Sequence, residues 1–428
     1  MSSSKSSGCR DEKNLFSAKG KSIMMVSFLL LAAGTFLFLT DSEENDAGEI
    51  GEDLWWEVQE TTLYIHGTGP MINPKDVSFI LDYSWYYEYR DYVKYIVMDE
   101  GITTLEDGCF CGFNNLMGEI NIPKSVEKIG KEVFKSTDIS KVTIAEGSNL
   151  KSIGESAFEN CPKLKTFNLP EGLKSIGYAA FRNCTSLTDT LKFPSTLTSI
   201  GYYAFENCSN LKGSIEIPNA VSSLSGCFKG CSSLTGELKL PSTLGYIGPD
   251  TFSGCSGITG TVKLNHQYCF GIYESAFKDC VGITEVDIKG NIMCSIWSDA
   301  FEGCTGLTSF KILQGDKIYD GAFNGCTNLT KMTFGKLETI SPSAFEGIEF
   351  YDEDGKKIEL TEETVKELNG YVFEGSNSKL TKVAQTDEEI PDKEDESSGG
   401  IDVWMIATPV AFIAGVLVTM LAIHFRKP

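Results

Sequence analysis

Residues 152–164, SIGESAFENCPKL, decide the reading of this chain, because close copies of them recur through its middle. The phenylalanine of the copy falls at Phe110, Phe134, Phe158, Phe181, Phe205, Phe228, Phe252, Phe277, Phe301, Phe323 and Phe345, in steps of 22 to 25 residues. A period of that length marks units that cannot bury an apolar face alone and must stack as a solenoid. The eleven copies predict about 11 coils over residues 93–350.

The copy at 187–210, LTDTLKFPSTLTSIGYYAFENCSN, lays out one unit. Leu187, Leu191 and Phe193 point inward around an outward Lys192, as in a short strand, and Pro194 ends that strand. Leu197 and Ile200 line a second extended piece, Gly201 permits a sharp turn, and Ala204-Phe205 begin a one-turn helical or 3₁₀ return. The pattern L-x-x-(I/L)-x-(L/I)-P-x-x-L-x-x-I-G-x-x-A-F-x-x-C, best kept at 153–161, 176–184 and 200–208, resembles the BspA-like, or Treponema-type, leucine-rich repeat family. The pattern glycine gives way to Ser225, Tyr273, Trp297, Tyr319 and Ser341, and Ile348 stands where the last cysteine falls. Those departures bear on the turns, not on the fold. The resemblance implies a β-rich repeat solenoid with short helical or 3₁₀ turns, and adhesion to host or neighbouring-cell proteins or glycans.

The ends of the chain differ in kind. Ser22 to Thr40 is uncharged, long enough to span a bilayer, preceded by Lys5, Arg10, Lys13, Lys19 and Lys21 and followed by Asp41, Glu43, Glu44 and Asp46. That asymmetry reads as a signal anchor with its N-terminus inside, and Ala32-Ala33-Gly34 leaves cleavage as a signal peptide as the alternative. Val403 to Ile423 is a second uncharged run, followed by His424, Arg426 and Lys427, and reads as a stop-transfer helix. The expected order is a cytoplasmic segment at 1–21, an anchor at 22–40, an acidic linker at 41–53, and an N-terminal β cap at 54–92. The solenoid at 93–350, a C-terminal cap at 351–383, an acidic stalk at 384–402, a membrane helix at 403–423 and a cytoplasmic tail at 424–428 follow.

The formal net charge of −22 gathers outside the repeats, where the acidic tracts lack core residues and read as extended and disordered. In the N-terminal cap, Trp55, Trp56 and the cluster Trp85, Tyr86, Tyr87, Tyr89 and Tyr92 read as cap core. In the C-terminal cap, a turn at Asp354-Gly355, a strand over 357–360, a helix over 361–368 and a last hairpin or strand over 371–383 are expected.

Eight of the fourteen cysteines, Cys161, Cys184, Cys208, Cys231, Cys255, Cys280, Cys304 and Cys326, share one repeat position, and read as a column of free buried thiols. Neither cofactor nor metal is implied: no zinc spacing, phosphate loop or catalytic set can be assembled from three histidines and scattered acids, so no enzyme is expected. The acidic balance disfavours nucleic acid. Asn183, Asn207 and Asn328 stand in glycosylation sequons, each inside a repeat turn.

Surface is what remains, and it comes in rows. The outward first-strand positions, from Asn121 and Thr143 through Lys192 to Lys311 and Thr333, are polar and mixed in sign. The second row is aromatic: Tyr273, Trp297 and Tyr319 at the glycine position, with Tyr178 and Tyr202 one residue later in earlier coils. These five are the candidate ligand-binding residues, for an extracellular protein or glycan. Lateral self-association as a structural envelope component is the alternative, with homotypic contacts through the same rings.

Overall fold

In the computed structural model each repeat makes one turn around a shared apolar interior and lies against the turn before it. Residues 46–71, 86–188, 190–264, 271–289, 294–361, 368–376 and 378–383 are described, and the apolar runs at 22–40 and 403–423 lie outside them. The phenylalanines form one column of buried rings, stacked at centroid distances of 5.0 to 5.6 Å from Phe110 to Phe345. Nine of these eleven coils have a coil on both sides; the first and last meet the caps. Among the described residues no helix is long and apolar enough to cross a membrane.

The second extended pieces pair in parallel and in register, from Ile129 through Ile153 and Ile176 to Ile200, and again from Leu224 through Ile247 and Ile272 to Ile296. Proline ends first strands without alone setting their length, since Met117–Ile122 runs six residues up to Pro123. Coils with Pro170, Pro194, Pro218 or Pro241 keep their first strands to a few residues or isolated bridges. The last coils lack that proline, and Ser309–Ile318 and Lys331–Ile340 run ten residues each through both pieces. The register shifts by one residue after Gly118 and after Gly260, which sit at φ +80° and +85°, and the extra residue, Ser140 or Thr284, lies on the paired strand of the next coil.

Two turn expectations are corrected. The return after the second strand is not helical: Ser156 and Asn160, on either side of Phe158, are left-handed at φ 52° and 58°. Alternate backbone N–H groups there donate to the next coil, Ser156 to Tyr178 O at 2.7 Å, Phe158 to Ala180 O at 2.7 Å and Asn160 to Arg182 O at 2.8 Å. A helix would aim those donors along its own axis and leave the coils unbonded. The 3₁₀ helix Pro342–Phe345 forms in the last coil, where no further coil follows. Nor does Gly201 serve a sharp turn. Its φ is ordinary, and a Cβ there would lie 2.3 Å from the Gly177 carbonyl carbon and 2.5 Å from Tyr178 N. Glycine is required because backbone meets backbone between coils.

Both caps extend the sheets. Asp46–Glu49, Leu54–Gln59 and Thr62–Gly67 pair antiparallel, and Thr62–Gly67 then pairs in parallel with Tyr95–Met98 of the first coil. The acidic linker expected over 41–53 is therefore a cap strand from Asp46 onward, tied in by the buried Ile50. Trp56, Tyr86 and Tyr89 are core as expected, but Trp55 and Tyr92 are exposed, because strand alternation sends Trp55 and Trp56 to opposite faces. At the other end the hairpin Tyr371–Ser376 and Lys379–Val383 pairs antiparallel onto Lys331–Ile340 and covers Thr333. Of the helix expected over 361–368, residues 362–367 lie outside the described ones. The chain divides at Gln385/Thr386 into two units, and the second, with the stalk, lies outside the described residues.

Two substitutions test this packing by chemical denaturation. Phe205→Ala, mid-column, costs about 3–5 kcal/mol of stability. Gly201→Ala costs about 1–3 kcal/mol, although it adds one methyl group, because the preceding coil cannot retreat.

Candidate functional site

The repeat returns make one continuous turn face, and the five candidate residues lie on it in two groups. The position held by glycine in the early coils, and again at Gly248, carries rings at Tyr273, Trp297 and Tyr319, whose backbone N–H groups keep the same bonds to the preceding coil. Tyr273 stacks on Trp297 at 5.2 Å and Trp297 on Tyr319 at 4.5 Å, each within 7° of parallel. Tyr246 packs edge-on against Tyr273 at 5.6 Å, and Lys317 Nζ sits 4.6 Å from the centre of the Tyr319 ring. The inner faces of this stack are covered by its own members and its ends by Tyr246 and Lys317. What it offers outward is ring edges, hydroxyls and an ammonium. Trp297 Nε1 is buried with no hydrogen-bond partner among the described residues.

The earlier group is more open. Tyr178 is 39% exposed and lies 6.4 Å from Tyr202 in a loose stack. Tyr203, not among the expected residues, completes it, edge-on to Tyr178 at 6.1 Å and 3.9 Å from Tyr202. It is left-handed at φ 59°, which turns its side chain back onto its neighbours. Burial raises the Tyr178 hydroxyl pKa above its ordinary value, and that of Tyr202 further, with the Tyr203 hydroxyl adding to it.

Beside these tyrosines runs a charge column at the residue after each phenylalanine: Lys135, Glu159, Arg182, Glu206, Lys229. Lys135 Nζ lies 3.1 Å from Glu159, Arg182 Nε donates to Glu159 at 2.8 Å, and Arg182 lies 3.9 Å from Glu206. Lys229 turns instead to Asp250 at 3.0 Å. Glu159 is 3% exposed. Burial alone would raise its carboxyl pKa, but Lys135, the Ser156 hydroxyl and Arg182 outweigh that and hold it below the ordinary carboxylate value. The alternation of sign at the repeat spacing was the signal in the sequence for this column.

Two further columns are structural. Each ladder thiol donates to the phenylalanine carbonyl of the preceding coil, from Cys161 to Phe134 O at 3.0 Å through Cys326 to Phe301 O at 3.2 Å. All twelve described cysteines are buried, the eight of the ladder as free thiols, and burial pushes the Cys208 and Cys326 thiols up to about 12. Asn207 Nδ2 donates to Asn183 Oδ1 at 3.0 Å and Asn183 Nδ2 to Asn160 Oδ1 at 2.8 Å, while Asn328 Nδ2 donates to Thr305 O at 2.8 Å. Every sequon amide is thus engaged in coil-to-coil bonding. On the first-strand row, charges pair between rungs, Lys141 with Glu119 at 3.0 Å and Lys239 with Glu216 at 3.1 Å. Among the described residues no group of three His, Cys, Asp or Glu side chains could hold a metal ion.

A family model described as "BspA type Leucine rich repeat region (6 copies)" matches residues 79–212, 210–315 and 271–393. No curated protein matches the chain. Among solved structures it is similar to a leucine-rich repeat protein from Bacteroides ovatus, at 27% identity over 58% of this chain and 69% of that one, with a TM-score of 0.46. A leucine-rich repeat protein from Eubacterium ventriosum is 15% identical over 80% of this chain and 96% of that one, with a TM-score of 0.42. A leucine rich cell surface protein from Faecalibacterium prausnitzii is 19% identical over 72% and 97%, with a TM-score of 0.30.

Glu159→Gln lowers stability at neutral pH by about 1.5–3 kcal/mol, since the network loses its negative charge and one carboxylate oxygen becomes an amide donor among the Lys135 and Arg182 donors. Because the folded carboxyl is held low, its contribution is present above the unfolded carboxylate pKa and is lost as pH falls through the folded one. Denaturation of both proteins therefore converges in acid. A thiol reagent leaves the twelve described cysteines unmodified in the native chain and reaches them only on unfolding, as a timed titration with and without denaturant shows.

Proposed function

Because the chain belongs to the BspA-type leucine-rich repeat family, we propose that it is an extracellular binding protein without catalytic activity, held at a membrane by the runs 22–40 and 403–423, that adheres to a protein on a host or neighbouring cell. The observation that carries this reading is the Tyr178, Tyr202 and Tyr203 cluster beside Arg182. Tyrosine and arginine are the residues on which protein interfaces concentrate their energy, and here they are held in place by a regular scaffold.

The late stack supports a polypeptide ligand over a glycan. A sugar ring needs an open aromatic face, whereas Tyr273, Trp297 and Tyr319 cover one another and present edges and hydroxyls, which suit backbone and side-chain hydrogen bonds. The two groups lie on the same turn face, several coils apart, so one extended partner can engage both.

The test immobilises the full chain and screens extracellular proteins and glycans for saturable binding. Tyr178→Ala, at an exposed position that leaves the fold intact, weakens protein binding by about tenfold or more. A folded chain that binds no protein, or whose binding ignores Tyr178, Arg182 and the late stack alike, overturns the reading. Saturable binding of a glycan alone returns the ligand to sugars.

A further inference from the structure

Five of the seven large apolar side chains exposed among the described residues, Trp55, Tyr92, Tyr95, Val97 and Met117, belong to the N-terminal cap and the first two coils. Four of them share one sheet face. Trp55 is opposite His66 in register, Tyr64 opposite Val97 and Thr62 opposite Tyr95, and the Tyr95 ring reaches the next strand at Gly118, beside Met117. Trp55, His66 and Tyr64 stack in sequence, at 4.2 and 6.0 Å. The face therefore crosses four strands, about 15 Å, as one band of aromatic and aliphatic surface. Farther along the solenoid the same row turns polar, with Asn121, Asn168 and Lys192.

We infer that this band rests on the outer surface of a lipid bilayer, at the headgroup level. The inference relies on the anchor reading of residues 22–40. Only five residues separate Thr40 from the first cap strand at Asp46, so the cap lies within about 20 Å of the end of the anchor. At that distance an amphipathic aromatic band meets the interface that tryptophan and tyrosine prefer. Of the carboxylates on the face, Glu57 and Asp99 lie 3.5 and 3.0 Å from His66, Glu119 lies 3.0 Å from Lys141, and Glu49, opposite Trp55 in register, stands exposed at the edge; these acids and the acidic chain are repelled by anionic lipid, so the surface is a zwitterionic one.

The full chain is placed in phosphatidylcholine nanodiscs and, separately, in lipid-free amphipol, and side chains are labelled with hydroxyl radicals and read by peptide mass spectrometry. Trp55, Tyr95 and Met117 label several-fold less in nanodiscs, while Tyr178 labels equally in both. Trp55→Ser combined with Tyr95→Ser returns Met117 to its amphipol labelling. Equal labelling in a chain that co-elutes with the nanodisc leaves the anchor standing and overturns the docking. A chain that does not enter nanodiscs overturns the anchor and the docking together. Protection in amphipol that grows with protein concentration assigns the face to a second copy and overturns the lipid.

Discussion

The spacing between coils is the constraint on which the rest of this structure depends. Backbone hydrogen bonds between successive coils, in the parallel strands and across the turns, hold the rise near the ordinary strand separation of about 4.8 Å. Every side chain then sits directly above its counterpart in the coil below. A column of a single residue type survives only if that type can stack on itself at that distance. Phenylalanine rings do so at 5.0 to 5.6 Å, asparagine amides by a donor and an acceptor, and cysteine by a thiol that reaches the carbonyl of the coil before.

Columns that cannot stack like on like find another rule. Charges alternate, as Lys135, Glu159, Arg182 and Glu206 do, because like charges at this separation repel. Glycine stacks with no side chain at all, and where Tyr273, Trp297 and Tyr319 take its position the rings stack on one another at the same coil spacing. The surface features of the molecule follow from the same condition. Aromatic rows on the turn face are packed because they are columns, so their faces are spent on one another and their edges are left for a partner. On the cap face, strands pair across a hairpin and not by repetition, and unlike residues such as Trp55, Tyr64 and Val97 can lie side by side as an open band.

Much of this was legible from one repeat. The phenylalanine column, the parallel Ile register and the buried thiol ladder follow from residue spacing, whereas the choice of a hairpin in the C-terminal cap does not. The candidate rings Tyr178, Tyr202, Tyr273, Trp297 and Tyr319 do fall into two groups on one face. What a single repeat hid is whatever one coil does to the next. The role of Gly201, the left-handed residues flanking each phenylalanine and the addition of Tyr203 to the tyrosine group all arise between coils, where a pattern read along the chain has no term for them.

The sequence by itself determined the solenoid, the contents of its interior and the family to which it belongs, because each of these is a matter of which residue type recurs at which interval. The tertiary structure decided which aromatic side chains are open and which are covered. Trp55 and Trp56 are neighbours in the chain and lie on opposite faces of a sheet, one exposed and one in the core. Tyr178 and Trp297 occupy nearly the same place in the repeat, yet one stands half free and the other is enclosed in a stack. Exposure is set by neighbours brought in from other coils, and only the folded chain specifies those.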